Sequence, residues 1–188
     1  FRIAHETIWD GLTLYKLYQE AYTPWEWHKE LFIYAQEIGI EIFSTPFDNN
    51  AVDLLEELNV KRYKIASPEI TDIPLIEYVA SKGKPIIISV GIATLEDIFE
   101  AVEACRRQGN NDITLLQCIS QYPARPEDSN LIVMQDMKER FNVNVGLSDH
   151  SMGHEVAVIA AAMQVSMIEK HFIMDRKIGG PDASFSMD

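Results

Sequence analysis

Short runs of β-branched and aliphatic residues alternate with amphipathic helical stretches along the chain, and this alternation constrains the fold more than any other feature. The runs are Ile40–Thr45, Tyr63–Ser67, Pro85–Val90, Ile113–Cys118, Val143–Ser148 and Met167–Phe172. Successive runs begin about 20–30 residues apart, the size of a βα unit. Their near-continuous apolar character suits parallel strands covered on both faces. Helix signals fall between them. Thr23-Pro24-Trp25-Glu26 reads as N-cap, first-turn proline and capping-box acid. Asn50–Leu58 has apolar residues at helical spacing, and Thr94-Leu95-Glu96-Asp97 opens a helix ending near Gly109. Gly153–Gln164 is Ala-rich and mostly apolar, which predicts a tightly packed outer helix. No antiparallel hairpin signal interrupts the pattern. A (β/α)8 TIM barrel and an open doubly wound sheet both satisfy it, although no GxGxxG tract follows a strand. The six strand-like runs predict an incomplete barrel, six of eight βα units with the first two missing.

Composition narrows the function classes. The 188 residues suffice for one sizeable domain, and 47% apolar residues allow a large core. A formal net charge of −13 argues against general nucleic-acid binding, which needs a basic face. It leaves room for a small anionic substrate, because a few cations can make a local positive site. No membrane span or secretory leader is legible. Cys105 and Cys118 have no zinc spacing and read as reduced thiols of a cytoplasmic protein.

The chemistry collects where the runs end. They close in Ser44-Thr45, Lys64 to Ser67 with Glu69, Ser89-Val90-Gly91, Cys118 to Tyr122, Ser148-Asp149-His150 and Glu169-Lys170-His171. Strand side chains alternate faces, so Ser148 shares a face with His150, Glu169 with His171, and Cys118 with Ser120. In a barrel such strand ends build the active site. Two histidines on adjacent strand ends, each beside a carboxylate, can bind one divalent metal. Lys64, inside an apolar strand, calls for a partner: either Glu69 or Glu169 in a salt bridge, or a phosphate or carboxylate in the barrel mouth. His5 and His28 are expected at the surface, and His154 solvated at a helix start. Tyr22, Trp25 and Trp27 are expected in core or inter-subunit packing, with sugar stacking as the alternative.

Five tracts, in order, carry a resemblance: Phe43-Ser-Thr-Pro-Phe-Asp48, Tyr63-Lys-Ile-Ala-Ser67 with Glu69, Gly146-Leu-Ser-Asp-His150, Glu169-Lys-His-Phe172, and Gly180-Pro-Asp182 with Phe185-Ser186. Together they resemble the sialic acid synthase family. The earlier stretch, Thr7-Ile-Trp-Asp-Gly11 through Ala21-Tyr-Thr-Pro-Trp-Glu-Trp27, resembles its pseudaminic acid synthases in particular. The resemblance implies a (β/α)8 barrel that condenses phosphoenolpyruvate with an amino-sugar acceptor and releases phosphate. In this subfamily the acceptor is 2,4-diacetamido-2,4,6-trideoxy-altrose and the product pseudaminic acid; neuraminate and legionaminate synthases are the family alternatives.

The same resemblance implies Mn2+ or Mg2+ held by His150 and His171. It implies phosphoenolpyruvate contacts from Thr45, Lys64, Ser67 and Ser148, and places Glu69 near the reacting carbons. Tyr122 and Asp182, and less directly Ser120, are implied acceptor contacts. Ser120, Pro68 and Val90 depart from the usual family residues. Family members also carry two earlier strands with a Lys-x-Gln tract, and a C-terminal antifreeze-like domain on which their homodimers depend. Residues 1–188 are therefore expected to be a partial barrel domain, poorly active alone. A metal-dependent hydrolase or aldolase, and a non-catalytic barrel scaffold, are the readings from other classes.

Overall fold

Five parallel strands hydrogen-bond in sequence order β1-β2-β3-β4-β5 in the computed structural model, which describes residues 9–188. They are β1 (Tyr63–Ile65), β2 (Ile86–Ser89), β3 (Ile113–Cys118), β4 (Asn144–Asp149) and β5 (Met167–Lys170). Helix α4 (Ile73–Ala80) joins β1 to β2, α5 (Leu95–Arg107) joins β2 to β3, α6 (Val133–Phe141) joins β3 to β4, and α7 (Glu155–Ala162) joins β4 to β5. Ahead of the sheet lie α1 (Leu14–Ala21), α2 (Trp25–Ile38) and α3 (Asn49–Glu57). A doubly wound sheet reverses its strand order at a switch point. The described strands show no reversal, so the winding is that of a curled half-barrel.

The ladders explain the core. Tyr63, Ile65, Ile86, Ile88, Ile113 and Leu115 alternate along their strands and are almost fully buried against the helices. From that side Val79, Ala101, Val102, Cys105 and Met134 complete the packing. Local signals set several helix ends. Thr94 and Asp97 form the reciprocal capping box that starts α5. Asp48 accepts the Ala51 N–H to cap α3. Gly39, at φ 74°, closes α2 by donating its N–H to Ala35 and Gln36 carbonyls.

Five expectations need correction. The Ile40–Thr45 run joins no ladder among the described residues. Among the described residues β1 pairs with β2 alone, and the run is held by side chains: Glu41 pairs with Arg62, and Ser44 meets His28. Pro24, not Thr23, occupies the N-cap of α2, with no side-chain cap bond. His28 is buried rather than surface-exposed; its Nδ1–H donates to the Pro24 carbonyl (3.1 Å) and its Nε2 faces the Ser44 hydroxyl (3.2 Å). Tyr22, Trp25 and Trp27 are exposed, so they are not core of this chain. Only Val156 and Ala160 of α7 are buried, because a helix apolar all round has one face on the sheet while Val158 and Ile159 stand open. His5 and the first residues of the Thr7–Gly11 tract lie outside the described residues.

Gly146 sits where β4 passes close to β5. A Cβ there would lie 2.5 Å from the Met167 carbonyl oxygen and 2.6 Å from Leu116 Cδ2. Backbone cannot move aside as a side chain can, so Gly146→Ala should destabilise the protein by about 1–3 kcal/mol. A urea titration reads this; an unchanged midpoint would remove the steric argument.

Candidate functional site

Lys64 lies between Tyr63 and Ile65, both turned into the helix-facing core, so its own side chain occupies the concave face. Its ammonium is buried. It donates to Ser89 Oγ (2.8 Å) and the Ile65 carbonyl (3.4 Å), and Glu169 Oε2 stands 3.6 Å away. Of the two carboxylates expected as partners, Glu169 is the one it meets. The contact spans the arc from β1 across β2 to β5. The neighbouring hydroxyls are engaged: Ser67 Oγ accepts the Ile92 N–H (2.9 Å), and Ser148 Oγ donates to Glu169 Oε1 (2.6 Å).

The two histidines converge, with ring centroids 5.4 Å apart. His150 Nδ1 lies 2.7 Å from the Ile119 carbonyl. A carbonyl only accepts, so this nitrogen carries the proton and Nε2 keeps its lone pair. Ser148 stands 3.2 Å from that Nε2, but its single proton goes to the shorter bond with Glu169. Burial also pushes the His150 pKa down, which keeps the ring neutral. His171 turns Nδ1 toward Asp182 Oδ2 (3.3 Å). Both rings thus face a carbonyl or carboxylate through Nδ1, the support that metal-ligating histidines receive. This donor set fits a divalent cation with two protein ligands and several open positions. Among the described residues no group of three or more His, Cys, Asp or Glu could hold a metal, so the larger ligand set usual in metal hydrolases is not found there.

One expected pairing is different. Glu169 shares the inner face with His150 and His171, but Asp149 turns to the opposite face and pairs with Lys170 (2.7 Å). Odd and even positions of β4 point apart, so the carboxylate next to His150 in sequence is not beside its ring.

Glu69 follows β1 in a short 3-10 turn, Ser67–Thr71. Its Oε2 is buried and has no hydrogen-bond partner. Burial raises its pKa, the charge of Asp72 adds to this, and its own backbone N–H and Lys64 oppose it. A carboxyl held up in this way is suited to carrying a proton. The Tyr122 ring lies tilted at 4.3 Å from His150 and edge-on at 5.7 Å from His171, and burial drives its hydroxyl pKa to about 12. Ser120 Oγ and Cys118 Sγ crowd over Gly91, where a Cβ would come within 2.5 Å of each. Thr45 is half-buried, and no hydrogen bond ties it to this group.

Some participants were missed in the sequence. Trp9 rings approach Tyr122 (5.6 Å) and Phe185 (6.4 Å), and the Trp9 indole donates to the Pro181 carbonyl (3.0 Å). Phe185 lies 4.9 Å from the His171 ring. No local pattern marks Trp9, because its partners are about 110 and 170 residues away. Ser89 was readable in principle: Lys64 registers with Ile87, and Ser89 lies two residues on, on the same face.

The profile of the NeuB family matches residues 1–188. A pseudaminic acid synthase of Helicobacter pylori is 50% identical over 186 residues, covering 99% of this chain and 55% of that protein. An N,N'-diacetyllegionaminic acid synthase of Campylobacter jejuni is 42% identical over 163 residues, covering 86% of this chain and 49% of that protein. A crystal structure of N-acetylneuraminic acid synthetase from Leptospira borgpetersenii in complex with citrate superposes with a TM-score of 0.87 at 34% identity, covering 92% of this chain and 60% of that one. The chain spans about half the length of the curated relatives it matches.

The raised Glu69 pKa has a stability consequence with a definite sign. A carboxyl whose folded pKa lies above its unfolded value favours the folded state at low pH, and that contribution is lost as pH rises through the folded pKa. Glu69→Gln should therefore match the wild type below pH 4 and exceed it at pH 8. Denaturation midpoints across that range check it; a variant less stable at pH 8 than at pH 4, relative to wild type, would reverse the sign.

Proposed function

The chain belongs to the NeuB family, and from that premise we propose that its concave strand ends form the phosphoenolpyruvate and metal site of a pseudaminic acid synthase. The observation that carries this is Lys64: a buried ammonium in a chain of net charge −13, held by Ser89 and Glu169, with Ser148 linking Glu169 to the imidazole pair. Identity to pseudaminic acid synthases, at 44–50%, supports the acceptor; the 42% to a legionaminic acid synthase makes that sugar the runner-up. The five-strand arc would be part of a (β/α)8 barrel, in a homodimeric protein.

Each residue then has a task. Lys64, Ser67, Ser148 and Thr45 hold the phosphate and carboxylate oxygens of phosphoenolpyruvate, with charge-assisted bonds from Lys64 the strongest. His150 and His171 hold Mn2+ or Mg2+, which when bound supplies Lewis-acid polarisation of the acceptor aldehyde. Carbon 3 of the enol attacks that aldehyde, carbon 2 takes water, and phosphate leaves. Glu69 exchanges the proton of the incoming water, since its raised pKa lets it both accept and give. Tyr122, Ser120 and Asp182 line the acceptor side, where Asp182 also keeps the His171 ring oriented. A hollow of about 260 Å3 between His171, Gly180 and Asp182 is open on that side.

The test is phosphate release from phosphoenolpyruvate with Mn2+ and 2,4-diacetamido-2,4,6-trideoxy-altrose, compared with the legionaminic and neuraminic acid precursors. The altrose acceptor should react fastest. Lys64→Met should weaken phosphoenolpyruvate binding about 10–100-fold, the loss expected for a hydrogen bond to a charged group. Undiminished binding in that variant, or a preference for another precursor, overturns the corresponding part of the reading.

A further inference from the structure

The ladder between β4 and β5 ends one residue short of the imidazoles. Its last rung pairs Asp149 with Lys170, and the next residues on each strand are His150 and His171. Beyond that rung no backbone bond between β4 and β5 is found among the described residues; the His150 and His171 carbonyls accept instead from the N–H groups of Ala124 (2.9 Å) and Met187 (2.8 Å), on other segments. On the opposite face of the sheet a side-chain lattice continues the constraint. Lys170 Nζ donates to Asp149 Oδ2 (2.7 Å) and to the Ser151 carbonyl (2.8 Å). Asp149 Oδ1 accepts both the N–H (2.9 Å) and the hydroxyl (2.6 Å) of Ser151.

The residue before His171 therefore grips the residues on both sides of His150. Asp149 is 3% exposed and Ser151 2%, so both the charge and its donors are out of water. A buried ion pair is an inefficient way to hold two strands together, since well-packed apolar residues do that equally well. What it adds is directional definition of the atoms it bridges, and the atoms bridged here flank the two rings.

We propose that Asp149 and Lys170, with Ser151, are positioning residues that set the spacing and ring orientation of His150 and His171 from the far face of the sheet. This rests on the reading of the two histidines as a divalent-cation site. It assigns the Asp149–Lys170 pair a role separate from the inner-face contacts, in which Ser148 and Glu169 touch His150 and Lys64.

The test uses the double variant Asp149→Asn/Lys170→Met, which removes both charges and leaves neither buried alone, together with Ser151→Ala and Lys170→Arg. Three quantities are measured: the urea midpoint, Mn2+ affinity by calorimetry, and the imidazole 15N shifts of the metal-free protein. The double variant should fold with Mn2+ affinity lowered about 10–100-fold, as for outer partners of metal ligands. Its His150 shifts should move from one proton-on-Nδ1 tautomer toward an average of two. Ser151→Ala should show the same changes, smaller in size, and Lys170→Arg should stay nearer the wild type in both.

Unchanged affinity and unchanged imidazole shifts in folded variants overturn the proposal. If the wild type binds no Mn2+, the metal reading fails, and the imidazole shifts alone decide the positioning role. Should the double variant not fold, Ser151→Ala decides it by the same two readouts.

Discussion

Placing an ammonium group on the concave face of a parallel sheet sets conditions that the surrounding structure has to meet. Lys64 cannot stay charged there without compensation, and its neighbours supply it from β2 and β5: a hydroxyl from Ser89 and a carboxylate from Glu169. Glu169 is in turn oriented by Ser148, whose hydroxyl also borders His150. One charge therefore links the first and last strands of the arc and, through Glu169 and Ser148, reaches the imidazole pair. The helix-facing side of the same strands is mostly apolar, with the Asp149–Lys170 pair and Gln117 as its polar members. Burial of aliphatic side chains dominates one face, and polar contacts dominate the other.

The sequence conveyed the periodic parts well. Five of the six apolar runs are strands, because each has a neighbour on at least one side, and their parallel order follows from the helices between them. Ile40–Thr45 has the same composition but no ladder among the described residues, and no local pattern reports whether a partner strand lies alongside. Alternation also placed Ser148, His150, Glu169 and His171 on one face. The same rule, applied to Asp149, would have shown that its carboxylate points away from the ring next to it. The error came from reading sequence adjacency as spatial adjacency.

What was not legible depends on contacts between distant segments. His28 looked solvent-bound by its polar neighbours, yet it is enclosed by Pro24 and by Ser44, sixteen residues on. Trp9, Tyr122 and Phe185 form one aromatic group around the imidazoles although they come from three separate stretches of chain. The apolar surface of α7 looked like core because hydrophobicity all round a helix normally means burial; here one side has no cover among the described residues.

Gly91 shows how such a site can and cannot vary. Cys118 Sγ and Ser120 Oγ fill the space that any larger residue at that position would claim. Position 91 is thus filled from β3 and the loop after it, which leaves no room for a side chain of its own. The loop segments bearing Tyr122 and Asp182 have less latitude than their positions outside the strands suggest, because Tyr122 packs on both imidazoles and Asp182 faces one of them.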